Sequence, residues 1–147
     1  MHWKEVLKME KLKPVIVDVN NVKPLSFGKE YDSRMILDHS ITGRSNVIQI
    51  NHGTVKKGCA LGGASHGEDE IYYILSGSGK LNLDGEIKNI HANEVVFIPA
   101  GVFHALDNTG GDCDMTILTF WRDYRYNDAY EERIKLWGKS FKTIDEE

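Results

Sequence analysis

An all-β fold, an antiparallel barrel or sandwich, is predicted by three features of this 147-residue sequence. Apolar stretches of strand length recur with turn signals between them, an Asp84-Gly85 dipeptide joins two of them, and no helical pattern intervenes as a βαβ sheet would require.

The elements follow in order. Residues 1–13 predict a short amphipathic helix presenting Trp3, Val6 and Leu7, stopped by Pro14, whose ring holds the preceding residue extended. Strand-length apolar runs then come as VIVDV from Val15, SRMILDHS from Ser33, NVIQINH from Asn46, EIYYIL from Glu70, KLNL from Lys80, EIKNI from Glu86, EVVFI from Glu94 and MTILTFW from Met115. The hairpin is the clearest of these signals. Leu81 and Leu83 alternate with Lys80 and Asn82 before Asp84-Gly85, a pair that accepts the positive φ angles of a type I′ turn. Beyond Trp121 the pattern changes to a C-terminal amphipathic helix over about 127–141. It places Tyr130, Ile134, Trp137 and Phe141 on one face and pairs Glu131 with Lys135 on another, with Asn127 or Asp128 capping its start and Gly138 its end. A stripe of this kind is a packing surface.

The length suits a single domain, residues 1–147. A formal net charge of −4 argues against a nucleic-acid or anionic-membrane surface and leaves a small molecule or another protein as the partner. Cys59 and Cys113 are too few for a disulfide framework and form no CxxC zinc motif, and they are expected to be small buried residues. The N-terminal stretch has no apolar run and so is neither a signal peptide nor a membrane span, and a cytoplasmic protein is expected.

Chemistry concentrates in two segments, Gly58 to Gly77 and Asn93 to Asn108, which offer His66, Glu70 and His104 as a candidate metal site. Taken alone, HGEDE is a hydrated acidic loop with a surface histidine. As one straight strand, His66 and Glu70 would stand roughly 13 Å apart at about 3.3 Å per residue, whereas ligands of one metal lie about 2 Å from it. The chain must therefore bend, and Gly67 with the polar Glu68-Asp69 tip permits a loop that folds His66 back over Glu70. A helix would also bring the two together, but Gly62, Gly63 and Gly67 and the β-favouring IYYIL oppose it. If Glu70 faces the interior, strand alternation turns Tyr72 and Ile74 inward as well, and Tyr73 and Leu75 outward.

The two segments resemble the paired motifs of the cupin superfamily, G-x5-H-x-H-x3-4-E-x6-G and G-x5-P-x-G-x2-H-x3-N. Gly58, His66, Glu70 and Gly77 fit the first, and Pro99, Gly101, His104 and Asn108 fit the second, while Ala64 stands at the first histidine position and Asn93 at the opening glycine of the second motif. The resemblance is to small single-domain cupins of the cupin 2 type. It implies a jelly-roll β-barrel over about 15–121 with short N-terminal and C-terminal helices, and a homodimer. It also implies a four-ligand site of three histidines and one glutamate, of which this chain keeps His66, Glu70 and His104.

Two imidazoles and one carboxylate resemble the facial triad of non-haem iron enzymes, and iron, manganese, nickel or zinc all accept such ligands. One divalent transition metal is the expected cofactor, and no organic cofactor is expected. Glu68, Asp69, His52 and Gln49 are candidates for the vacated ligand position. Asn108 is expected to be a structural turn residue, and Phe103 to line the mouth or to pack. His2, His39 and His91 lie outside the motifs. The function expected is a metal-dependent enzyme on a small polar metabolite, a hydroxy acid, keto acid or sugar derivative, with isomerase, lyase or decarboxylase chemistry and Tyr72 or Glu68 moving the proton. Alternatives are an Fe(II)-type dioxygenase, a non-catalytic small-molecule-binding cupin, and a metal-independent epimerase using His66 with Tyr72. An anion-binding Arg34, Arg44, Lys56 or Lys57 cannot be placed from sequence.

Overall fold

The computed structural model describes residues 12–43, 48–122, 134–136, 138, 143 and 145. Nine strands are described: β1 (Leu25–Phe27), β2 (Tyr31–Leu37), β3 (Gln49–Val55), β4 (Glu70–Ser76), β5 (Ser78–Leu83), β6 (Glu86–His91), β7 (Val95–Ile98), β8 (His104–Asp107) and β9 (Met115–Trp121). A single helical turn, α1 (His39–Thr42), separates β2 from β3. The strands form a six-stranded sheet in the order β1-β2-β3-β9-β4-β7 and a three-stranded sheet in the order β6-β5-β8. All the strand pairs are antiparallel, in accord with the jelly-roll fold. Residues 58–64 run beside β8 without forming a full strand, through Leu61 N to Leu106 O at 2.9 Å and a pair of bonds between Ala64 and His104.

The core lies between the sheets, where Val55, Tyr72, Ile74, Leu81, Ile98 and Ile117 form one buried cluster. Alternation along β4 and β9 produces it, since every second residue of each strand is buried over Glu70–Ile74 and Met115–Trp121. Tight turns hold the strands in register. Asp84 and Gly85 take φ of 51° and 90° between Leu83 and Glu86, which forms the hairpin expected there. Gly77 joins β4 to β5 at φ 78°, and a Cβ at that position would come within 2.5 Å of the Asp114 carbonyl oxygen. Backbone strain and crowding both reserve this position for glycine.

Several elements differ from expectation. Val15–Val19 pairs with no strand among the described residues, and Ile16 is 98 % exposed; β-branched residues favour a strand only where a neighbour offers hydrogen bonds and cover. Strand β2 begins at Tyr31 and ends before Asp38, whose carboxylate accepts the Ser40 and Ile41 amides and so opens α1. Strands β1 and β8 are additional. Cys59 is half-buried and Cys113 is exposed, because both sit on turns at the barrel end rather than in its core. The expected N-terminal helix lies outside the described residues, apart from residues 12 and 13, which are not helical. Most of the C-terminal helix lies outside them too, but Ile134–Leu136 is helical, Ile134 packs on Met35 and Trp121, and Gly138 ends the turn at φ 73° with its amide on the Ile134 carbonyl at 2.8 Å.

Candidate metal centre

Three structural units bring the candidate ligands together. Glu70 opens β4 and faces inward, His104 opens β8, and His66 sits in the loop between β3 and β4. That loop bends as the Gly67-Glu68-Asp69 tip permits. The Asp69 carboxylate accepts the Ala100 amide at 2.9 Å and the His66 carbonyl accepts the Gly101 amide at 2.8 Å, so the loop is fastened to the Pro99 turn that presents His104. His66 Nε2 lies 2.8 Å from Glu70 Oε2 and His104 Nε2 lies 3.4 Å from the same oxygen. The three ligand atoms all lie within 4.8 Å of one another.

The tautomers follow from the partners. His66 Nδ1 donates to the Glu68 carbonyl at 3.0 Å and His104 Nδ1 to the Val102 carbonyl at 3.0 Å, since a carbonyl can only accept. A neutral imidazole with its proton on Nδ1 presents a lone pair at Nε2. In the neutral rings both lone pairs would converge on one carboxylate oxygen, an arrangement that repels unless a proton on Nε2 or a cation stands among them. Orientation of Nε2 by a hydrogen bond at Nδ1 is the usual support of metal-binding histidines, and this donor set fits a divalent transition metal.

Protonation of the metal-free site obeys the same need. Burial would raise the Glu70 carboxyl, but hydrogen bonds from His104 and His66 and their charge outweigh it and hold the group below its ordinary value. Burial would lower His104, but the Glu70 hydrogen bond, the Val102 carbonyl and the Glu70 charge together raise it. A proton thus supplies the positive charge that an ion would otherwise bring.

The remaining expected residues separate clearly. Ala64 lines the same cavity as the three ligands, so a side chain at that position faces the site but offers no donor. Glu68 sits on the Nδ1 side of His66, its carboxylate 3.7 Å from that nitrogen, and Asp69 is held by Ala100. His52 alternates with the cavity-lining Asn51 and Gly53 and so faces the opposite side of the sheet, whereas Gln49 is buried on the inner side. Tyr72 is buried, lines the cavity, and meets the His104 ring edge-on at 6.1 Å between centroids. Phe103 packs over Gly63, where a Cβ would collide with its ring. Asn108 is structural, its amide donating to the Val55, Lys56 and Cys113 carbonyls at 3.2, 3.3 and 3.0 Å.

The cavity holds about 390 Å³, within the usual range of small-molecule sites. Its lining also includes Ser33, Asn51 and Thr119, which sequence reasoning did not single out. A polar residue on the buried side of a strand was the available signal, but it becomes legible only once the strand register is known.

Comparison with known proteins accords with this architecture. Residues 51–121 match the family model described as Cupin domain. An oxalate-binding protein of Thermotoga maritima is 43 % identical over 54 residues, covering 36 % of this chain and 45 % of that one. A mannose-1-phosphate guanylyltransferase of Salmonella montevideo is 38 % identical over 63 residues, 42 % of this chain but 13 % of the enzyme, so this chain spans only a small part of that relative. Among solved structures, a predicted oxalate decarboxylase from Thermotoga maritima aligns with a TM-score of 0.65 at 24 % identity, covering 74 % of this chain and 98 % of that one. A polyketide cyclase from Streptomyces resistomycificus aligns with a TM-score of 0.66 at 20 % identity, covering 82 % and 94 %. These likenesses establish the fold.

Proposed function

Because this chain belongs to the cupin family and gathers two imidazoles and a carboxylate at a barrel cavity, we propose that it is a metal-dependent enzyme of small-metabolite chemistry. Its substrate is a hydroxy acid, keto acid or sugar derivative, and its reaction an isomerisation, lyase step or decarboxylation. The observation that carries this reading is the convergence of both Nε2 atoms on Glu70 Oε2, at 2.8 and 3.4 Å.

His66, Glu70 and His104 would hold the ion, and a divalent metal there would supply Lewis acidity toward a substrate carbonyl. Tyr72 moves the proton, its phenol being the acid-base group on the wall beside His104. Glu68 acts through His66, fixing the ring by its carbonyl rather than meeting the substrate. Val55, Leu61, Leu106 and Ile117 give the cavity an apolar lining beside its polar groups.

A second reading, a binding protein without turnover, is favoured by Ala64, which leaves the ligand set one donor short of the family pattern. Elemental analysis of the purified, untagged protein beside His66→Ala and Glu70→Ala tests both. Near-stoichiometric iron, manganese, nickel or zinc, lost in both variants, supports the metal enzyme; a parent protein that takes up no metal after reconstitution overturns it.

Two further features extend the proposal. On the outer face of the six-stranded sheet, Val95 and Phe97 are 64 % and 59 % exposed, and register sets Phe97 beside Ile71 and Val95 beside Tyr73. An apolar sheet face of this kind is suited to cover by a second copy, a homodimer that Phe97→Asp would convert to monomer in light-scattering chromatography. Cys59 and Cys113, both free thiols, fit the reducing cytoplasm.

A further inference from the structure

The cavity has two chemically different ends. At one end stand His66, Glu70 and His104, and from there a transverse row crosses the inner face of the large sheet. Register places Tyr72 opposite Thr119 and Thr119 opposite Asn51. All three line the cavity, so the row leads from the imidazole that Tyr72 touches to the far wall.

That far wall is polar and oriented. Ser33 Oγ donates to Asn51 Oδ1 at 2.6 Å, and Asn51 Nδ2 donates to the Tyr31 hydroxyl at 3.0 Å, which fixes the direction of the amide. A primary amide carries two donor hydrogens. Tyr31 takes one, and the second is available to a ligand. The Thr119 hydroxyl lines the same space and bonds to no described residue, although Thr119 is only 9 % exposed. Facing the cavity, that hydroxyl is open to a hydrogen bond with a ligand or with water.

The wall also lacks charge. No lysine or arginine lines the cavity among the described residues. Arg34 donates to the Val22 carbonyl at 2.9 Å, and Lys56 pairs with Asp32 at 3.0 Å and faces Asp114 at 3.8 Å. A second carboxylate or a phosphate deep in the cavity would therefore be desolvated with no cation to meet it, which is strongly unfavourable. Aromatic rings at Phe27, Tyr31, Tyr72 and Trp121 suit a flat or ring-shaped body.

We infer that Asn51 and Thr119 form a recognition wall that narrows the substrate class to its uncharged, hydroxyl-bearing ring members, sugar derivatives rather than hydroxy or keto acids, with vicinal oxygens facing His66, Glu70 and His104. This rests on the metal-site reading for one end of the ligand only. The wall selects the class of molecule by offering hydrogen bonds and withholding positive charge.

The test is calorimetric titration of Zn²⁺-loaded and metal-free protein with two probes: maltol, a neutral ring bearing adjacent hydroxyl and carbonyl oxygens, and oxalate, a compact dianion. Thr119→Val, which keeps the shape, and Asn51→Leu are compared with the parent, with metal content and melting temperature checked for each. The expected result is that the loaded parent prefers maltol to oxalate and that each variant binds maltol about fivefold more weakly, the scale of one hydrogen bond, while oxalate changes less than about twofold. Preference for oxalate, or maltol affinity unchanged in both variants, overturns the inference. If the protein takes up neither zinc nor iron, manganese or nickel, the metal reading fails by itself. Maltol binding to that metal-free protein, weakened by Thr119→Val, still upholds the wall, and its absence there sinks the wall as well.

Discussion

The backbones of Ala64 and His104 exchange two hydrogen bonds, Ala64 N to His104 O at 3.1 Å and His104 N to Ala64 O at 3.0 Å. Residues paired in this way project their side chains to the same face, and both line the cavity. Ala64→His is therefore expected to add a fourth nitrogen to the candidate centre and to tighten zinc binding by about tenfold or more, the scale set by far weaker outer-shell changes. Competition against a chelator of known affinity measures it. Unchanged affinity in a folded Ala64→His protein would mean that position 64 does not reach the ion.

Acidity affects the metal-free and metal-loaded forms in opposite directions. Glu70 is held below its ordinary value of 4.5, so its contribution is complete above that pH and is lost as pH falls through its lowered pKa. His104 is held above its ordinary value of 6.5, so its contribution is complete below that pH and is lost as pH rises through its raised pKa. Both contributions are thus complete between pH 4.5 and 6.5, where the metal-free protein should melt highest. A metal must displace the His104 proton, so the stabilisation it brings should grow as pH rises. Melting curves from about pH 4 to pH 9 with zinc or with a chelator give the comparison. A metal-free protein that gains stability steadily above pH 6.5 would contradict the site electrostatics described here.

Tyr72→Phe separates proton transfer from ligand holding. The ring remains to pack against His104 while the hydroxyl is lost. Turnover should fall about a hundredfold, the lower end of general acid-base catalysis, with metal content unchanged. Retained turnover would assign Tyr72 to the barrel wall alone.

Asn108→Ala should destabilise the fold by about 2 kcal/mol, because three carbonyls lose their common donor inside the barrel. Urea denaturation measures the loss. The amide closes the gap between the strand β3 end and the turn before β9, so the change should also loosen the Cys113 turn to proteolysis. A shift under about 0.5 kcal/mol would show that water replaces the amide fully.

Much of the fold was legible because alternation was long enough to read. Glu70–Leu75 turns Glu70, Tyr72 and Ile74 inward and exposes Ile71 and Leu75, as the period of two requires. Strand β9 coincides with MTILTFW from end to end. Strands β1 and β8 have three and four residues, too few to show a period. Val15–Val19 has strand composition but no pairing partner among the described residues, and pairing is not encoded locally. Asn93 stands where the family pattern has glycine and takes φ 70° while its side chain accepts the Tyr73 hydroxyl at 3.1 Å; asparagine tolerates that conformation better than most residues. The candidate ligand trio was legible from motif spacing. Ser33, Asn51 and Thr119 were not, because their meeting depends on the register of three strands distant in sequence.

Each imidazole of the centre takes its orientation from a carbonyl two residues away, His66 from Glu68 and His104 from Val102. Those contacts are local in sequence. Glu70 is different, since its placement is set by the pairing of β4 with β7 and β9. Each ring is aimed by its own short turn and the carboxylate by strands distant in sequence, so the candidate centre is complete only in the closed barrel.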